Sequence, residues 1–134
     1  MATLADTNVL LDIATNDATW SDWSLNALDD AALEGPIVIN PVVYAEFSVG
    51  YRRIEEVDRL LGATEIALVE IPRAALFLAG KVFRRYRRRG GQKAGVLPDF
   101  FIGAHAAVAC LPLITRDRKR FQRYFPTVRL ITPE

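Results

Sequence analysis

Leu4-Ala5-Asp6-Thr7-Asn8-Val9-Leu10-Leu11 opens the chain with a short apolar run, an acid, two polar residues and a second apolar run. The pattern reads as a buried strand whose last residue hands a carboxylate to the start of a helix. In open parallel α/β sheets, ligands sit outside the carboxyl ends of the strands, so a carboxylate placed there faces a crevice rather than the core. Asp6 is therefore the first candidate for chemistry. Taken alone it also reads as a helix cap, because Asp, Thr and Asn all accept hydrogen bonds from the free N–H groups of a helix start.

Further strand candidates follow at Ile37-Val38-Ile39, from Ile66 to Ile71, at Leu113-Ile114 and from Val128 to Ile131, with helical stretches between them. Strands that alternate with helices form βαβ units around a parallel sheet. After the helix opened by Val9, a second is expected from about Ser21 to Leu33, carrying Trp20 and Trp23 at its start and closed by Gly35-Pro36. The tryptophans suit a core or a partner groove. Asn40-Pro41 supplies a cap and a proline for the first helical position, opening a helix to about Val49. Glu46 lies in its second turn among Val42, Val43 and Val49. A glutamate on an apolar stripe is costly without a partner, which makes it the second candidate site residue. Ile54 to Leu61 reads as a plain amphipathic helix.

Arg73 to Arg89 predicts a helix with opposed faces, Ala79, Val82, Phe83 and Tyr86 on one and Lys81, Arg84, Arg85 and Arg88 on the other, stopped by Gly90-Gly91. The basic stripe suits phosphates, an acidic protein or plain solvent. Leu97-Pro98-Asp99 opens a helix from Phe100 to Cys110 with hardly a polar side chain, hence buried. Asp99 stands at its start, where the helix dipole favours an anion. His105, six positions on, points elsewhere and reads as a satisfied core histidine. Leu113-Ile114 again ends in a hydroxyl and an acid, Thr115-Arg116-Asp117, followed by Arg118-Lys119-Arg120 and by Phe121, Arg123, Tyr124 and Phe125. Cations interleaved with aromatics suit phosphate contact and base stacking, or a short helix packed by its aromatic face.

The chain has 134 residues and a mass of 15.0 kDa, the size of one domain spanning 1–134. No apolar stretch approaches the roughly 20 residues of a membrane span, and no secretory leader pattern opens it, so a cytoplasmic protein without membrane association is expected. Cys110, its single cysteine, is expected to be a small buried side chain. One His and one Cys do not make a zinc site. The net charge of +1 conceals a division, with −10 over residues 1–72 and +11 over residues 73–134. Such asymmetry suits an anionic partner, and equally suits two halves that neutralise each other in the fold.

Asp6, Glu46, Asp99 and Asp117 all fall at a strand tip or in the first turns of the following helix, places that share one edge of a parallel sheet. Like charges about 4 Å apart repel by roughly 4 kcal/mol at an effective dielectric near 20. A hard divalent cation relieves this, and oxygen-only donors select Mg²⁺ or Mn²⁺. The matching reaction is phosphodiester hydrolysis, with the basic half holding the anionic polymer over the acids. No phosphate-cradling glycine motif is present, which sets triphosphate turnover aside.

With these residues quoted, the chain resembles the PIN-domain ribonucleases, and among them the VapC-type toxins of type II toxin-antitoxin pairs. The resemblance rests on the segments 5–12 (ADTNVLLD), 45–47 (AEF), 98–106 (PDFFIGAHA) and 113–117 (LITRD) in this order. It implies a three-layer α/β/α sandwich around a mainly parallel sheet, Mg²⁺-dependent endonuclease activity on RNA, a homodimer, and a small antitoxin that blocks the site. Carried over by position, Asp6 and Asp99 would bind the metal directly, Glu46 and Asp117 would act through water, and Asn8 and Thr115 would support Asp6 and Asp117 by hydrogen bonds. Lys81, Arg84, Arg85, Arg88, Arg116 and Arg118 are the candidate RNA contacts. Relatives often carry a further acid where this chain has Lys119, so one metal is expected rather than two. The competing readings are a non-catalytic module of the same fold that binds RNA or protein, and a phosphatase with an aspartyl nucleophile. The phosphatase usually wants a second acid two residues on, where Asn8 stands.

Overall fold

Thr3–Ala5 forms the first strand, β1, and all three residues are buried. Successive side chains of a strand point to opposite faces, so a fully buried strand is covered on both. Ile37–Ile39 (β2) and Leu113–Ile114 (β4) are likewise buried throughout. In the computed structural model, which describes residues 1–133, these are the central strands of a five-stranded, all-parallel sheet ordered β3-β2-β1-β4-β5. Ala67–Leu68 is β3 and Leu130–Ile131 is β5, at the two edges. Helices fill both faces, giving the α/β/α sandwich expected from the sequence: α1 (Thr7–Ala14), α2 (Ser21–Ala32), α3 (Pro41–Ser48), α4 (Ile54–Ala63), α5 (Arg73–Arg88), α6 (Leu97–Ala109) and α7 (Arg118–Tyr124).

The sheet builds leftward from β1 through β2 to β3, then crosses over and continues rightward through β4 to β5. The direction therefore reverses between β1 and β4, and that switch point opens a crevice at the carboxyl ends of the strands. Register is fixed there by Leu4 opposite Leu113 and Ala5 opposite Ile114. One step further, Asp6 N–H donates to the Ile114 carbonyl at 2.9 Å.

Several expectations shift, and the fifth strand, anticipated from Val128 to Ile131, pairs only over Leu130–Ile131. The third strand, anticipated from Ile66 to Ile71, pairs only over Ala67–Leu68, because an edge strand has one neighbour and both residues are exposed. The apolar helix starts at Leu97, three residues before Phe100. Cys110 is exposed rather than buried: it stands past the last buried residue of α6, Ala106, as a left-handed C-cap with φ 55°. Within α6, Gly103 is dictated by contact, since a Cβ there would lie 2.3 Å from the Phe125 ring. Among the described residues no helix is long and apolar enough to cross a membrane.

His105 is a core residue, 2% exposed. Asn40 caps α3 by accepting from Val43 N–H at 3.0 Å, which turns its amide nitrogen toward His105 Nδ1 at 3.2 Å. Nδ1 must then accept, leaving the ring proton on Nε2. Burial holds this imidazole below its ordinary pKa, consistent with a neutral ring. Asn40 is itself fully buried and ties α3 to α6. Asn40→Ala removes a cap and strips a buried acceptor of its donor, and should cost about 2–4 kcal/mol in denaturant unfolding. A loss under 0.5 kcal/mol would refute this reading.

Candidate active site at the carboxyl edge of the sheet

Asp6 ends β1, 4% exposed, and caps α1. Its Oδ1 accepts from Thr7 N–H at 2.7 Å and its Oδ2 from the Thr115 hydroxyl at 2.7 Å. The Thr115 bond follows from register, because Ala5 pairs with Ile114 and the next residues on each strand meet. Thr115 Oγ1 in turn accepts from Asp117 N–H at 3.0 Å, which draws the third acid-bearing loop against the first. Thr7 works in both directions: its hydroxyl donates to Glu46 Oε1 at 2.7 Å, so one residue ties the β1 tip to α3.

Asp6, Asn8, Glu46, Asp99 and Asp117 line one cleft of about 420 Å³, with Thr7, Leu11 and Val49 completing its wall. All four sequence-predicted carboxylates thus reach a common cavity from β1, α3, α6 and the β4–α7 junction. They do not close on a single point. Among the described residues no three His, Cys, Asp or Glu side chains stand close enough to hold an ion. Arg120 stands among them, its guanidinium bonding Asp99 and approaching Asp117 at 3.8 Å. Burial lowers and the bond to Asp99 raises the Arg120 pKa, and the net is upward, so this cation persists.

Asn8 does not reach either carboxylate it was expected to support; its Oδ1 accepts from Arg116 N–H at 3.4 Å. Arg116 itself is committed inward. Its Nε and Nη2 grip Asp12 at 2.7 and 2.9 Å, and its guanidinium lies 5.1 Å from the Trp20 ring centre. Asp12 is 3% exposed and takes a third bond from Ser24 at 2.7 Å. Lys81, Arg84, Arg85 and Arg88 are exposed on α5, and Arg118 is exposed at the start of α7; none lines the acidic cleft.

Thr7, Asp12 and Arg120 were missed in the sequence. Asp12 carried the signal that singled out Glu46, a carboxylate among Val9, Leu10 and Ile13 on an apolar helix. Arg120 carried none, being one of three consecutive cations, Arg118, Lys119 and Arg120.

Burial pushes the Asp6 carboxyl up to about 7, opposed by the Thr115 hydroxyl, reinforced by Asp99, opposed again by Thr7 N–H and reinforced by Glu46. Burial also holds Asp99 above the ordinary carboxylate value, although Arg120 works against it. The negative charge at Asp6 is therefore poorly compensated by the chain alone.

An open parallel sheet with an acid-lined crevice at its switch point defines an α/β protein whose ligand edge is acidic. Residues 3–125 match the model of the PIN domain, and the chain belongs to the PIN-domain family. The fold is similar to that of VapBC2 from Rickettsia felis, solved bound to a DNA fragment from its promoter, with TM-score 0.76 and 21% identity over 100% of both chains. VapBC-1 from nontypeable Haemophilus influenzae gives 0.73 and 20% over 98% of each chain. A toxin-antitoxin complex from Klebsiella pneumoniae gives 0.65 and 24%, also over 98% of each. At these identities the likeness establishes the fold. Comparison with curated protein sequences finds no match.

Two measurements test the site's energetics. Between the ordinary Asp value of 3.8 and about 7, the folded chain keeps a proton on Asp6 that the unfolded chain releases. Stability from the neutral form is complete below 3.8 and is lost as pH rises through 7. In chelator, Asp6→Asn should melt above wild type at pH 8, by on the order of a few kcal/mol, with the gap vanishing near pH 4. Equal melting points at pH 8 would contradict this. Arg116→Met should cost about 2–4 kcal/mol by leaving Asp12 buried and unpaired, and adding Asp12→Asn should restore part of the loss.

Proposed function

We propose that the chain is an Mg²⁺-dependent endoribonuclease, the toxin of a toxin-antitoxin pair. The observation that carries this reading is the convergence of Asp6, Glu46, Asp99 and Asp117 on one cleft at the sheet's switch point. PIN-domain membership supports nuclease chemistry, and the toxin-antitoxin assemblies that share the fold support a small antitoxin as partner. A homodimer and cytoplasmic action belong to the same reading.

The donor set fits a hard cation in kind: four carboxylates, no thiolate, and a buried Asp6 whose anion lacks a counter-charge. Asp6 and Asp99 would hold Mg²⁺, or Mn²⁺, with Glu46 and Asp117 acting through water. Such an ion, when bound, supplies an activated water and offsets charge gathering on the phosphoryl oxygens. Thr7 and Thr115 keep Asp6 and Glu46 in place by hydrogen bonds at 2.7 Å, so these groups need little reorganisation. Arg120 supplies positive charge at Asp99 and Asp117 and engages Asp99 through Oδ2, which leaves Oδ1 for an ion. Lys81, Arg84, Arg85, Arg88 and Arg118 remain exposed for phosphate contact, while Arg116 serves the fold through Asp12.

The hold of Arg120 on Asp99 favours one alternative, a non-catalytic PIN module that binds RNA or protein. The decisive experiment incubates purified chain with total cellular RNA in Mg²⁺ and maps new ends. Cleavage at defined sites is expected, lost with chelator and reduced by about 100-fold or more in Asp6→Asn and in Asp99→Asn. Absence of cleavage by folded protein free of partner, or undiminished cleavage by Asp6→Asn, would transfer the assignment to the binding module.

A further inference from the structure

Beside the acidic cleft lies a second one of about 320 Å³, and the two share Asp117. Its chemistry is opposite. Lys93, Lys119 and Arg123 rim it, all exposed, and among the described ion pairs none of the three engages a carboxylate. Its wall is aromatic. Tyr86 is fixed at both ends: its hydroxyl accepts from Lys93 N–H at 3.2 Å, and Gly91 lies so close that a Cβ there would sit 2.5 Å from the ring. Tyr86 braces Tyr124 edge to face, with ring centres 6.0 Å apart at 79°. Tyr124 is half-buried on this cleft, and the Arg123 guanidinium stands 5.4 Å from its centre. Arg120 lines the same cleft and forms the partition, with its guanidinium on the acids of the neighbouring one.

Unpaired cations over a braced aromatic ring match a single-stranded nucleotide, which offers a flat base to the ring and a phosphate to the rim. An acidic peptide would use the cations and leave the rings idle. The two clefts share Asp117 and are divided by the Arg120 side chain, so a strand seated here lies beside the acids at the same edge of the sheet. We propose that this cleft binds the nucleotide flanking the scissile phosphodiester, its base on Tyr124 and its phosphate on Lys119 and Arg123. It thereby sets which linkage of the strand reaches the carboxylates. The identity of the polymer rests on the ribonuclease reading; the cleft's affinity for a single strand does not depend on cleavage.

The test is fluorescence anisotropy with a fluorescein-labelled, mixed-sequence 12-nucleotide single-stranded RNA, in chelator so that nothing is cut. Lys119→Gln with Arg123→Gln changes two exposed side chains, and circular dichroism checks that the fold is kept. This pair should weaken binding by about tenfold and lower the slope of log affinity against log salt by about 1.4, as two lost single-strand phosphate contacts require. Tyr124→Leu should weaken binding by at least about fivefold with the slope unchanged, and Tyr124→Phe should bind as wild type, because stacking needs the ring and not the hydroxyl. Unchanged affinity and slope in the Lys119/Arg123 pair would overturn the subsite, even if the wild-type chain cleaves RNA in Mg²⁺. The expected losses from a wild-type chain that does not cleave would uphold the subsite and remove the nuclease.

Discussion

The carboxylate of Asp6 is the group on which the arrangement depends. It is buried at the tip of the central strand, and its two bonds, from Thr7 and Thr115, join the start of the chain to a strand 109 residues later. A buried anion with two donors is still short of charge compensation, which is why its proton is held to about 7. The fold therefore carries a standing electrostatic cost at its switch point. Folds commonly retain such costs where a ligand is to settle them.

Three of the four cleft acids occupy helix starts: Asp6 caps α1, Asp117 caps α7, and Asp99 lies in the first turn of α6. Free N–H groups and the helix dipole stabilise anions there, which spreads compensation over the backbone. Glu46 is the exception. It sits in the second turn of α3, caps no helix, and depends on the Thr7 hydroxyl. Thr7 is consequently the point where the two halves of the acid set are mechanically coupled. The remaining counter-charge comes from Arg120, and Arg116 with Asp12 anchors the loop that brings Thr115 and Asp117 to the site. Among the described ion pairs, Arg116 with Asp12 is the one that joins the basic half of the chain to the acidic half.

The parallel sheet and the four acids were legible because each depends on a local signal. Strand tips, caps and a glutamate out of place among valines are all visible within a few residues. The third strand was overextended because Ile66 to Ile71 is apolar enough for a strand, yet hydrogen bonding at a sheet edge is limited by one short neighbour. Cys110 was placed in the core because its neighbours are apolar, whereas the helix had already turned past its buried face. The Arg120 pairing with Asp99 and the Arg116 pairing with Asp12 were illegible for a different reason. Among several adjacent cations, only the direction each side chain takes in space decides which one turns inward, and that direction is a tertiary fact.

The two clefts also impose an order in time. Every bond that organises Asp6 from the far side comes from β4 or the loop behind it, and β4 cannot pair until the long excursion through α5 and α6 has been synthesised and folded. A chain emerging from the ribosome thus exposes Asp6 and Glu46 early without the residues that shape a site around them. The full set of acids therefore comes together only when β4 docks beside β1.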